Sequence, residues 1–86
     1  MKDLEKILKA FANRRRLAIV KYLKKNGEAP VSKIAGEIKL SFKATSKHLG
    51  ILTAADILER EQRSLYMYYK ISSNLKPIAK QVVSFL

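Results

Sequence analysis

Seven residues near the middle of the chain, Ser41, Phe42, Lys43, Ala44, Ser46, Lys47 and His48, gather polar, cationic and aromatic groups within eight positions. Each has a chemistry suited to a polyanion that also displays base edges. The two lysines can pair with phosphate oxygens. Ser46 can donate or accept at a base or a phosphate, and Phe42 can pack on a thymine methyl. If residues 42–54 are helical, Thr45, Leu49 and Leu52 repeat at four and three and turn inward, so the polar set turns outward. The same pattern would suit the wetted face of a plain bundle helix.

Two further basic sites lie outside this segment. Arg60 and Arg63 suit a phosphate or a narrow minor groove, or they pair locally with Glu59 and Glu61, where exposed ion pairs contribute little. Arg14-Arg15-Arg16 opens a helix whose dipole disfavours cations at that end. Phosphate contact, pairing of Arg16 with a buried carboxylate, and simple solvation each account for the cluster.

Other chemistries find few residues. His48 is the sole histidine and there is no cysteine, so neither a thiolate nor a multi-imidazole metal site can be built. No Ser-His-Asp set and no glycine-rich phosphate loop is present, and no cofactor is implied. The balance of 18 Lys and Arg against 7 Asp and Glu gives +11. Self-repulsion of that size fits an anionic partner: nucleic acid, an anionic membrane surface or an acidic protein. A lysine-rich genome or thermal adaptation would also raise the count. No apolar run is long enough to span a bilayer, and charges interrupt the N-terminal apolar stretch, so neither a membrane anchor nor a signal peptide is expected and the cytoplasm is the expected place.

The elements that must position these residues follow from periodicity. Leu4, Ile7, Leu8 and Phe11 mark an amphipathic helix over 3–12. Asn13 caps a second helix, 14–26, with Leu17, Val20 and Leu23 inward and Ile19 and Tyr22 flanking. Gly27 stops it, and Glu28-Ala29-Pro30 reads as a connector. A third helix runs from Val31 to Ile38, with Leu40 as an inward plug after it. Ser41 caps the fourth, Phe42 to Ala54. Ile57–Glu61 and Leu65–Ile71 then read as a hairpin joined by Gln62-Arg63-Ser64. Tyr66 and Tyr68 share one face of the second strand, Tyr69 the other; packing on the helices or base stacking would use them. Asn74 caps a last helix to Leu86, with Pro77 in its first turn. The fold class is mainly α (α+β): four helices, a β-hairpin and a final helix, with a helix-turn-helix over 31–52. Residues 1–86 read as one winged helix-turn-helix DNA-binding domain.

Leu4 to Ile71 resembles the ArsR-type family of winged-helix repressors. The resemblance rests on Leu8-Lys9-Ala10-Phe11-Ala12-Asn13, Arg16-Leu17 with Ile19 and Leu23, Pro30-Val31-Ser32-Lys33-Ile34-Ala35, Ser41, Thr45-Ser46-Lys47-His48-Leu49-Gly50-Ile51-Leu52, Ala55-Asp56-Ile57-Leu58 and Tyr68-Tyr69. It implies a homodimer built from the first and last helices, a recognition helix at 41–53, a wing near Gln62-Arg63-Ser64, and repression of transcription. The dimer face would hold Leu4, Ile7, Leu8 and Phe11 with Ile78, Val82, Phe85 and Leu86. Departures are specific. Ser32 to Leu40 lacks the Cys-x-Cys type motif of metal-sensing members, and Leu75 to Leu86 lacks the Asp and His ligands of others, so metal induction is not expected. Asp56 and the wing turn stand where the family usually has glycine. Phe42 stands where a polar residue is frequent, and Gly50 lies in mid-helix. The expected partners are double-stranded DNA and a second copy of the chain. A protein-docking module, or a general chromatin or RNA binder, is the competing reading.

Overall fold

Asn13 fixes the first boundary: its side-chain oxygen accepts the N–H groups of Arg15 at 2.9 Å and Arg16 at 3.1 Å, satisfying donors that the start of a helix leaves unpaired. In the computed structural model, which describes Met1–Leu86, α1 (Lys2–Phe11) precedes this cap and α2 (Arg14–Asn26) follows it. Gly27, at φ +89°, ends α2. Next come β1 (Glu28–Pro30), α3 (Val31–Ile38), α4 (Phe42–Ala54), β2 (Leu58–Arg63), β3 (Tyr66–Ile71) and α5 (Pro77–Ser84).

Residues 28–30 are a strand, where a connector was expected. β1 pairs antiparallel with β3, Ala29 opposite Tyr69, giving the sheet order β1-β3-β2. Three residues ending in proline carry almost no strand signal. The proline is tolerated because β1 is an edge strand and needs no donor on its outer side. The hairpin link is also shorter than expected. Arg63 pairs with Tyr66 within the ladder, leaving only Ser64 and Leu65 in the turn. Ser64 takes φ +57°, the positive φ that tight two-residue hairpin turns require.

The last helix starts at Pro77 with Lys76 as its cap, two residues later than the cap expected at Asn74. Lys76 precedes proline and is extended, at φ −68° and ψ 154°, the conformation that the proline ring imposes on its predecessor. The Asn74 N–H instead donates to the Ser72 hydroxyl at 3.1 Å.

The core joins all the elements. Ile19, Val20 and Leu23 of α2, Ile34 of α3, Thr45, Leu49 and Leu52 of α4, and Ile57 and Leu58 at the start of the hairpin are fully buried. Ile19 takes the inward place expected for Leu17, which is half-buried, as is Leu40. Tyr69 packs into the core while Tyr66 stays exposed and Tyr68 half-buried. The hydroxyl of buried Thr45 has no hydrogen-bond partner. Thr45→Val should raise stability by about 1 kcal/mol, because it removes an unsatisfied buried polar group at nearly constant shape; chemical denaturation would measure this.

Asp56 stands at φ +59°, and the wing turn keeps a left-handed residue in Ser64. The backbone therefore holds a glycine-type conformation at both places where the family's glycines are replaced. Neither side chain makes a hydrogen bond to offset that conformation. Asp56→Gly should gain about 0.5–1 kcal/mol, a rise of a few degrees in Tm for a domain of this size, read by thermal melting.

Candidate nucleic-acid interface

α4 sits between a fully buried row, Thr45, Leu49 and Leu52, and an outer row of polar and cationic groups. The inner row anchors the helix against α2, α3 and the hairpin, so the outer row keeps a fixed direction. Ser41 caps α4 by accepting the Ala44 N–H at 3.1 Å. Phe42 is 62% exposed. Lys43 and Lys47 are exposed and form no ion pair; Ala44, Ser46 and His48 are half-buried. The first turn of α4 contains no acid, so the positive end of the helix dipole adds to the lysine charges there. A Cβ at Gly50 would meet open space, so no close packing requires glycine in mid-helix.

Arg16 explains part of the basic cluster that opens α2. Its Nε donates to the Ala10 carbonyl at 2.6 Å and its Nη2 to the Lys9 carbonyl at 3.1 Å. The guanidinium thus caps the negative end of the α1 dipole, which offsets its unfavourable place at the start of α2. Backbone carbonyls, not the carboxylate considered from sequence, are its partners. Its Nη1 lies 3.2 Å from His48 Nδ1. Guanidinium only donates, so Nδ1 must be the acceptor and the imidazole neutral. Burial first, then the charges of Arg16, Arg15 and Lys47, push the His48 pKa below its ordinary value. The linkage sign follows: as pH falls below about 6.5 the unfolded chain takes up this proton before the folded one, so stability declines. Between pH 7.5 and 5.5 the wild type should lose more Tm than His48→Gln, a window in which carboxylates stay ionised.

The wing arginines differ. Arg63 is held by Glu28, with Nη2 2.9 Å from Oε1 and Nη1 on Oε2, and by Glu61 at 3.1 Å, with its guanidinium 4.8 Å from the centre of the Tyr68 ring. These carboxylates raise the Arg63 pKa, and Arg63 lowers that of Glu28. The local pairing weighed from sequence is present through Glu61, and β1 adds Glu28. Glu59 pairs with Lys70 at 3.9 Å. Arg60 is exposed and has no ion-pair partner. The tip of the hairpin is apolar, with Leu65 89% exposed. Phe42, Leu65 and Tyr66 border an open groove of about 330 Å³ between the wing and the starts of α3 and α4. Phe42 was expected at this surface and Leu65 was not, although a bulky apolar residue beside a polar link was the available signal.

The set expected for a dimer face divides in two. Ile7 and Phe11, 2% and 5% exposed, belong to the chain's own core, because α1 turns that side onto α2 and α4. Leu4, Leu8, Ile78 and Phe85 stay exposed, Phe85 at 80%, with Val82 and Leu86 half-buried. Met1, Leu4, Leu8 and Ala12 line an open apolar groove of about 550 Å³ along α1. Lys76 and Asp3 form an exposed ion pair, 3.0 Å apart, between the starts of α5 and α1. No three His, Cys, Asp or Glu side chains converge on a metal-sized site, and no helix is long and apolar enough to cross a membrane.

A helix-turn-helix with its outer helix free, followed by a β-hairpin wing that pairs with the short strand before it, defines a winged helix-turn-helix DNA-binding protein. The description "Bacterial regulatory protein, arsR family" matches residues 13–60. The chain is 39% identical over 77 residues to a protein of Methanocaldococcus jannaschii named as an uncharacterized HTH-type transcriptional regulator, covering 88% of this chain and 86% of that one. Among solved structures, HlyU from Vibrio cholerae superposes with a TM-score of 0.83 at 28% identity, covering 98% of this chain and 87% of that one. The transcriptional repressor PagR of Bacillus anthracis gives 0.80 at 28%, covering 98% and 92%. The homodimeric winged helix-turn-helix DNA-binding domain Mb0332 from Mycobacterium bovis gives 0.85 at 26%, covering 98% and 75%. The chain belongs to the ArsR family of bacterial regulatory proteins. It is a DNA-binding transcriptional regulator and not an enzyme.

Proposed function

We propose that the chain acts as a homodimer that represses transcription by occupying an imperfectly palindromic operator. The observation that carries this is the outer row of α4: Lys43 and Lys47, exposed and unpaired, stand over a fully buried anchoring row. In the complex α4 lies in the major groove. Ser41, Lys43 and Lys47 meet phosphates, while Phe42, Ala44, Ser46 and His48 give the base preference. Arg60 supplies the free cation of the wing. Arg63 shapes the wing through Glu28, Glu61 and Tyr68, and reaches phosphate only by exchanging a carboxylate for it. Residues 1–86 work as one DNA-binding domain, in the cytoplasm where its partner lies.

The dimer reading is supported by the uncovered apolar side chains of α1 and α5 and by the homodimeric state named for the Mycobacterium bovis relative. The repressor reading is supported by the name of the Bacillus anthracis relative. Selection of bound sites from random duplex DNA, with a sizing measurement alongside, tests the proposal. Expected are half-sites centred about 34–36 Å apart, one turn of B-DNA, bound by a species of twice the chain mass. Equal binding to all sequences, or preference for RNA, would refute it.

A further inference from the structure

The exposed cations of α4 and the wing account for only part of the +11. A larger group lies on α2, which carries Arg14, Arg15, Arg16, Lys21, Lys24 and Lys25 and no acid. Arg16 is committed to the end of α1, and Lys24 donates to the Val83 carbonyl at 3.1 Å. Arg15, Lys21 and Lys25 have no ion-pair partner. With Lys33 of α3 they line an open groove of about 530 Å³ between the two helices. Glu37 is the one acid there, and it pairs with none of them.

Two features decide what such a groove fits. Its cations are spread along α2 and α3: Arg15 to Lys25 is ten residues of helix, about 15 Å. Each strand of B-DNA presents one charge per ~3.4 Å of axis, so the spread suits a short run of phosphates and is longer than a single small anion needs. One end of the groove also lies near α4. Arg15 adjoins Arg16, whose guanidinium lies 3.2 Å from His48, the neighbour of Lys47.

We propose that the α2–α3 groove is a second, sequence-blind DNA-contacting surface, which takes the phosphate backbone of duplex outside the site held by α4. This rests on the DNA-binding reading of α4 and extends the footprint beyond the two half-sites.

The test compares two duplexes with the full chain: a selected site alone, and the same site with about fifteen random base pairs on each side. The readout is the slope of log affinity against log salt, which the number of alternative binding positions does not change. Two phosphates per protomer, four per dimer, steepen the slope by about 3.6. The advantage of the long duplex should then shrink roughly a hundredfold between 50 and 200 mM salt. The triple variant Lys21→Gln, Lys25→Gln, Lys33→Gln changes only exposed side chains. It should bind the short duplex as wild type does and lose the extra slope on the long one. Equal slopes for the two duplexes in the wild type would overturn the proposal. So would an extra slope that survives in the variant, or a variant that fails equally on both lengths. Unchanged DNA binding with lost binding to RNA or polyglutamate would reassign the groove to another polyanion. Failure of the wild type on the short duplex would instead refute the reading of α4.

Discussion

Replacing Lys43 and Lys47 together with alanine lowers affinity for duplex DNA by about a thousandfold at 0.1 M salt, without changing thermal stability. Each phosphate neutralised contributes about 0.9 to the slope of log affinity against log salt, so four contacts per dimer amount to more than three decades between 0.1 M and 1 M. Stability is spared because both side chains are exposed and unpaired. Two readouts must move together: affinity falls on every sequence, and the salt slope flattens by about 3.6. Ser46→Ala acts differently. It carries no charge, so the slope stays and the ranking among sequences changes. A Lys43, Lys47 double variant that binds with wild-type affinity would remove α4 from the interface.

The second large effect concerns assembly. Leu8 and Phe85, 47% and 80% exposed, keep large apolar areas open in the single chain. Covering the open part is worth about 1 kcal/mol for Leu8 and ~2 kcal/mol for Phe85, and two copies of each make this the main adhesive of the proposed interface. Leu8→Glu with Phe85→Glu removes that gain and places like charges where the copies meet. The expected product is a monomer by light scattering at micromolar concentration. Each half-site must then be bound independently, so affinity for a palindrome falls by several orders of magnitude while the affinity of one half-site is kept. A variant that stays dimeric would put the interface elsewhere. Ile7 and Phe11 are unsuitable for this experiment, since their loss opens the core of the chain itself.

The helix α4 was legible because its signals agree: Ser41 as cap, Thr45, Leu49 and Leu52 at helical spacing, and lysines on the other side. α3 was legible for the same reason, bounded by Pro30 and the left-handed Lys39. The missed features depend on contacts distant in sequence. β1 exists only because β3 offers it a ladder, and no local pattern announces three such residues. The commitment of Arg63 follows from that strand, since Glu28 reaches it only across β1-β3-β2. The clamp of Arg16 on the carbonyls of α1 needed the angle between two helices. Ile7 and Phe11 had the right stripe but more than one surface on which to bury it. The late start of α5 was readable in principle, since a residue before proline resists the helical conformation, but the capping preference of Asn74 pointed the other way.

The central claim is that the outer row of α4 lies in a duplex groove, and the absence of cysteine from the chain allows a direct test. Ser46→Cys, carrying a tethered DNA-cleaving reagent, is bound to a duplex selected from random sequences, with Gln81→Cys on the exposed side of α5 as the comparison. The account predicts two clusters of major-groove cleavage about one helical turn apart from position 46, and none from position 81. Bound DNA left uncut by the reagent at 46, or cut only by the one at 81, would contradict it.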